Sequence, residues 1–186
     1  IVKNISQTIC YKILGVNNFS NNAFNGNTSY YELRTDNGRN ILRNNVFGYG
    51  DETCVFTSKC TNTYINNTFT LHYSGVRTFG YIDTFINNIF WGTRFGYLAG
   101  DFGDFQNNTY NGVLSAVFFK NNILQHDSSQ YFSGGLTTLG NGSSGNLVDQ
   151  DPHFVDPLNP AGLDGVFRTD DDGLRLLTCS HAIGTG

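Results

Sequence analysis

The sequence predicts an all-β solenoid, and three observations carry that prediction. A six-residue phrase (apolar, any residue, Asn, Asn, any residue, apolar) recurs along the chain. Its two apolar positions hold large side chains in every regular copy. The composition is that of turn-rich β-structure, with only 14% charged residues and 22 glycines in 186 residues. Self-similarity at about 20–25 residues marks repeat architectures.

The regular copies are Leu42-Arg43-Asn44-Asn45-Val46-Phe47, Tyr64-Ile65-Asn66-Asn67-Thr68-Phe69, Phe85-Ile86-Asn87-Asn88-Ile89-Phe90, Phe105-Gln106-Asn107-Asn108-Thr109-Tyr110 and Phe119-Lys120-Asn121-Asn122-Ile123-Leu124. A poorer copy is Phe19-Ser20-Asn21-Asn22-Ala23-Phe24. The first Asn falls at 21, 44, 66, 87, 107 and 121, so the gaps are 23, 22, 21, 20 and 14 residues. Val46, Thr68, Ile89, Thr109 and Ile123 are β-branched, which favours strands. Each copy therefore reads as a strand, a tight bend at the Asn pair, and a second strand. Asn tolerates the left-handed backbone that such a bend requires. If coils stack at about 4.8 Å, Asn44, Asn66, Asn87, Asn107 and Asn121 form an amide ladder, each donating and accepting. The aromatic columns become interior stacks. A leucine-rich repeat would need a Leu consensus that is absent, and no long stretch shows a 3.6-residue apolar period.

Along the chain, residues 1–125 read as coils of about 20–23 residues. Ile1 begins inside a coil, so an N-terminal cap is expected on a longer parent chain. Residues 25–40 read as a polar excursion from the core. The segments 48–61, 70–81, 91–102 and 111–116 read as loops on one face, the face on which solenoids often bind ligands. Residues 126–146 are Ser- and Gly-rich and read as a loop. Residues 147–186 read as a distinct end or capping segment.

The repeat pattern over residues 17–125 resembles the right-handed parallel β-helix repeat proteins, the pectate-lyase-like superfold, and the handedness is implied by that resemblance. The tail carries Asp151-Pro152-His153-Phe154-Val155-Asp156, then Leu174-Arg175-Leu176, then Ser180-His181-Ala182-Ile183-Gly184-Thr185-Gly186. It resembles the C-terminal end of secreted bacterial choice-of-anchor β-helix proteins, with His181 at a Pro position and Gly184 at an Asp position. The resemblance implies an extracellular or cell-surface protein and no particular activity.

Candidate chemistry is sparse. Net charge is −4 with Lys and Arg scattered, so no basic face for nucleic acid is expected. No run of eighteen apolar residues suggests a membrane span. Asp164, Asp170, Asp171 and Asp172 lie around Gly165 and Gly173, a set of hard oxygen ligands suited to a structural calcium ion. A lyase would need carboxylates around a cation and an Arg or Lys as base. A hydrolase would need two carboxylates about 6.5–9.5 Å apart. Asp83, Asp101, Asp104, Arg77 and Arg94 are the candidates for either. Trp91, Tyr73 and Tyr97 are candidate sugar-stacking residues. Cys54 and Cys60 bracket a short segment and are a candidate disulfide. Cys10 and Cys179 are separated by about six coils of 4.8 Å, too far for the roughly 7 Å reach of a disulfide.

Three function classes follow. The leading one is a non-catalytic adhesion, glycan-binding or structural module. The alternatives are a polysaccharide lyase or glycoside hydrolase, and a filament subunit that self-associates by end-to-end coil stacking.

Overall fold

The computed structural model describes residues 9–11, 15–24, 31–48, 50, 53–70, 74–79, 82–91, 109–110, 113–114, 116–124, 145–148 and 150–184. Among them are fifteen β-strands and no helix. Strands β1 (Ile9–Tyr11), β2 (Val16–Ser20) and β3 (Ala23–Phe24) form the first pass of the chain. The second is β4 (Tyr31–Arg43) with β5 (Val46–Phe47), and the third is β6 (Thr53–Ile65) with β7 (Thr68–Phe69). The fourth is β8 (Ser74–Phe79), β9 (Ile82–Ile86) and β10 (Ile89–Phe90). A hairpin, β11 (Thr109–Tyr110) and β12 (Val113–Leu114), precedes the fifth pass, β13 (Ala116–Lys120) with β14 (Ile123–Leu124). The last strand is β15 (Leu147–Val148).

Apart from the hairpin, every strand pairing is parallel. One sheet runs β1-β4-β6-β9-β13, with β2 also on β4 and β8 also on β6; the other runs β15-β14-β10-β7-β5-β3. Left-handed residues make the corners between straight sides. One set lies inside the long strands, at Asn37 (φ 61°) and Lys59 (φ 54°). The other lies at the first Asn of each phrase: Asn21, Asn44, Asn66, Asn87 and Asn121, with φ between 53° and 61°. Asn adopts this region most readily among residues with a Cβ. The result is an all-β arrangement of parallel strands in two sheets, compatible with a β-helix.

The interior is built from columns of like residues. Tyr64 stacks on Phe85 and Phe85 on Phe119, with ring centroids 4.4 and 4.7 Å apart. Phe24, Phe47, Phe69 and Phe90 form a second stack with separations of 4.7, 4.9 and 4.5 Å. The two stacks meet edge to face, at 6.4 Å for Tyr64–Phe69 and 5.8 Å for Phe85–Phe90. Both geometries are favoured by the ring quadrupole, at about 0.5–1.5 kcal/mol per pair beyond burial. Beside them runs a polar interior column. Asn17 donates to Asn40 at 3.0 Å, Asn40 to Asn62 at 2.7 Å, and Asn62 to Asp83 at 2.5 Å.

Three expectations change here. The stretches 31–40, 53–61 and 74–79 are strand, because Leu33, Val55 and Val76 occupy one buried column. Neither an excursion at 25–40 nor loops at 48–61 and 70–81 describe them. The end of the phrase at 105–110, Thr109-Tyr110, also does not pair with the neighbouring passes as the regular copies do. Phe85 pairs directly with Phe119, and Ile89 directly with Ile123. Thr109 and Tyr110 instead pair antiparallel with Leu114 and Val113. The sequence between these two strands is Asn-Gly, a strong two-residue hairpin signal. The gap of 14 residues between Asn107 and Asn121 is also too short for a circuit that takes 21–23 residues in the regular passes.

Candidate functional site

The two residues of each Asn pair do different things. The second Asn points inward and forms the ladder. Asn22, Asn45, Asn67, Asn88, Asn122 and Asn146 are joined in succession by Nδ2-to-Oδ1 bonds of 2.9–3.1 Å. Each Oδ1 from Asn45 onward also accepts the backbone N–H of the Asn before it. Each Nδ2 from Asn45 onward also donates to a carbonyl of the preceding pass: Phe19, Leu42, Tyr64, Phe85 or Phe119. At least four bonds thus saturate each inner amide (Asn45, Asn67, Asn88 and Asn122), and Asn88 and Asn122 add a fifth, to the Ile86 and Lys120 carbonyls, as burial demands.

This corrects the expected ladder. Asn44, Asn66, Asn87 and Asn121 make the corner, so their side chains turn outward. Asn107 lies outside the described residues, and the direct bond from Asn88 to Asn122 leaves no rung for its phrase. The last rung was not legible as a copy because Gly145 (φ 69°) replaces the first Asn. Gly-Asn-Leu-Val is its only signal, and a Cβ at Gly145 would lie 2.1 Å from Asn121 Oδ1.

The outward column forms one wall of a groove. Asn66, Asn87 and Asn121 line it with Thr68, Ile89 and Ile123 of the adjoining strands. The opposite wall is Leu176, Ala182 and Gly184 of the C-terminal segment, and the enclosed volume is about 390 Å³. Among the described residues, no ionisable side chain lines it. Asn44 bonds to Asn21 across the column at 3.4 Å. No such bond joins Asn66, Asn87 and Asn121 among the described residues. The Asn87 Oδ1 is buried and accepts no hydrogen bond, a state that costs about 1–3 kcal/mol.

The C-terminal segment lies back along this edge. Arg168 Nη2 donates to the Asn44 carbonyl at 2.7 Å, more than a hundred residues away in sequence. Its own frame is a bridge between Phe154 and Leu176, extended by Val155 N–H to Arg175 O at 2.9 Å and Asp156 N–H to Gly173 O at 2.8 Å. Gly173 allows that approach, since a Cβ there would lie 2.0 Å from the Asp156 carbonyl.

The acidic residues serve this frame. Asp171 Oδ2 accepts the Leu163 and Asp164 N–H groups at 2.7 and 3.1 Å, and its Oδ1 accepts the Thr169 hydroxyl at 2.7 Å. The Thr169 hydroxyl, with the Asp164 amide next, holds the Asp171 carboxyl below its usual range. Asp172 accepts the Arg168 N–H, and Asp164 accepts the Val166 N–H at 2.7 Å. Of the residues expected to hold calcium, Asp164, Asp170, Asp171 and Asp172, three are engaged within the segment. Backbone donors take up the carboxylates of Asp164, Asp171 and Asp172, and no group of three metal-ligating side chains stands together among the described residues.

The other candidates disperse. Asp83 is 2% exposed and receives Asn62, so it is an interior rung and reaches no open surface. Burial, and then the nearby Asp83 carboxylate, push the Tyr64 phenol well above its usual value. Arg77 lies on β8, its backbone paired with Phe56. Arg94, Asp101 and Asp104 lie outside the described residues, as do Tyr73 and Tyr97. Trp91 is half-buried beyond β10 and does not line the groove. Cys54 and Cys60 are buried and not joined in a disulfide. They stand six residues apart on β6, about 20 Å if fully extended; one corner at Lys59 separates their sides, so the expected disulfide is absent. Burial raises the Cys60 thiol. No described helix is long and apolar enough to cross a membrane. No protein-family model matches the chain, and comparison with curated proteins and with solved structures finds no match.

Proposed function

We propose that the chain is a right-handed parallel β-helix of an extracellular or cell-surface protein, and that its role is non-catalytic glycan binding. The observation that carries this reading is the groove: outward amides on successive passes, facing a wall of small and apolar residues, with no ionisable group among its described lining residues. Such a lining can orient hydroxyl-rich chains by hydrogen bonds. Its described lining residues offer no acid, base or nucleophile. The candidate carboxylate that the described residues include, Asp83, is interior.

Affinity electrophoresis against a panel of soluble polysaccharides tests the reading, with a reducing-end assay run in parallel. Retardation without product is expected. Release of new reducing ends, or of unsaturated sugar, would overturn the non-catalytic assignment. Free migration through every polysaccharide would overturn glycan binding.

A further inference from the structure

We infer that the groove selects a neutral glycan bearing hydrogen-bond donors, and that the Asn87 carbonyl is its specificity-determining group. This rests on the glycan-binding reading above. Three observations lead to it.

The first is periodicity. Asn66, Asn87 and Asn121 sit on consecutive passes, so their amides repeat at about the 4.8 Å strand spacing. A linear β-linked sugar chain advances by a similar length per ring. One amide per ring, carrying both donor and acceptor, matches the mixed hydrogen-bonding of hydroxyl and acetamido groups.

The second is charge. Among the described residues the lining has no Lys, Arg or His. A uronate carboxylate drawn into the groove would lose water and gain no cation, which is unfavourable. The third is the Asn87 Oδ1, buried and without a donor. It repels another acceptor and is completed by a hydroxyl or an acetamido N–H. An added peptide strand is a poorer fit, because strand addition requires a free sheet edge. The corner N–H groups here are spent between passes, from Asn66 to the Ile86 carbonyl and from Asn87 to that of Lys120.

The test is calorimetric titration of the whole chain with three oligosaccharides: a β-1,4-linked N-acetylglucosamine oligomer, a β-1,4-linked glucose oligomer, and an oligogalacturonate. Asn87→Gly is titrated alongside. Gly145 holds the same corner with the same backbone sign, so this variant deletes the amide and keeps the corner. At least one neutral oligomer is expected to bind at least tenfold more tightly than the uronate. Asn87→Gly is expected to weaken that binding about tenfold. Preference for the acetamido over the glucose oligomer would name the N–H as the donor, and equal binding the hydroxyl. Side-chain amide resonances provide a second measure on the unaltered chain, and that of Asn87 should shift on adding the neutral oligomer. Uronate binding as tight as neutral binding, or an unmoved Asn87 resonance, overturns this inference and leaves glycan binding standing. Binding of none of the three overturns both.

Discussion

The stacked passes and the C-terminal segment hold themselves together in opposite ways. In the passes, each residue type is repeated and saturated by its neighbours above and below. The inner amides each make at least four bonds, and the rings stack face to face. In the segment 150–184, single residues carry single duties. Gly173 admits one carbonyl, Asp171 gathers two backbone amides and a hydroxyl, and Arg168 makes one reach to Asn44. A repeat spreads a requirement over many residues of one kind, whereas an irregular segment concentrates it. Damage should therefore be global in the first region and confined in the second.

The sharpest way to break that comparison is Asn88→Ala. It strands the backbone and side-chain donors of Asn67 and the Tyr64 carbonyl. A loss of about 3–4 kcal/mol is expected from several unsatisfied buried groups, read as a shift of the urea midpoint for the whole chain. Asn66→Gly, one position from the ladder, should move that midpoint by no more than about 1 kcal/mol, since its left-handed corner is kept. Equal losses from the two would refute the division of labour within the pair.

Gly173→Ala comes next. The Asp156 and Asn159 carbonyls, at 2.0 and 2.3 Å from an added Cβ, have to move. Overpacking of this kind costs about 1–3 kcal/mol. Amide hydrogen exchange should accelerate in 150–184 and stay unchanged in β6, β7, β9 and β10. A uniform acceleration would mean that the segment and the passes unfold as one unit.

A smaller effect of opposite sign is expected at Lys59, a left-handed corner without the Asn that Asn37 provides one pass earlier. Lys59→Asn should stabilise by about 1 kcal/mol, again as a shift in the urea midpoint.

The smallest effect is acidic. The Asp171 carboxyl titrates below its unfolded value, so its contribution is complete above that value, about pH 4. It is lost as pH falls through the lower folded-state pKa. Acid titration followed by nuclear magnetic resonance should loosen the 163–171 loop in that window and leave the ladder amides unmoved. Loosening that begins well above pH 4 would assign the loop to another group.

Much of the architecture was legible in the sequence because repetition amplifies it. Leu42, Tyr64, Phe85 and Phe119 line up in the text and in space. The limits are physical too. A strand corner turns one Asn out and the next one in, and spacing alone does not say which. The phrase at 105–110 satisfies the local pattern, but Asn111-Gly112 and the short gap override it. Gly145 hides a copy because Gly reaches the same backbone region without resembling Asn. The groove was not legible at all, since its second wall is brought to the passes by a tail distant in sequence.

The column Asn17–Asn40–Asn62–Asp83 has one more consequence. Every amide in it points its N–H the same way, toward the later pass, so the small dipoles align and add, as peptide dipoles do along a helix. Such a row has a positive end, and the residue there is best an acceptor. The next position in register is Val117, so the run of amide and carboxyl residues ends at Asp83. At that end the Asp83 carboxyl receives the Asn62 N–H. The change from Asn to Asp puts an oxygen acceptor at the positive end of the row, where the repeat of amides stops.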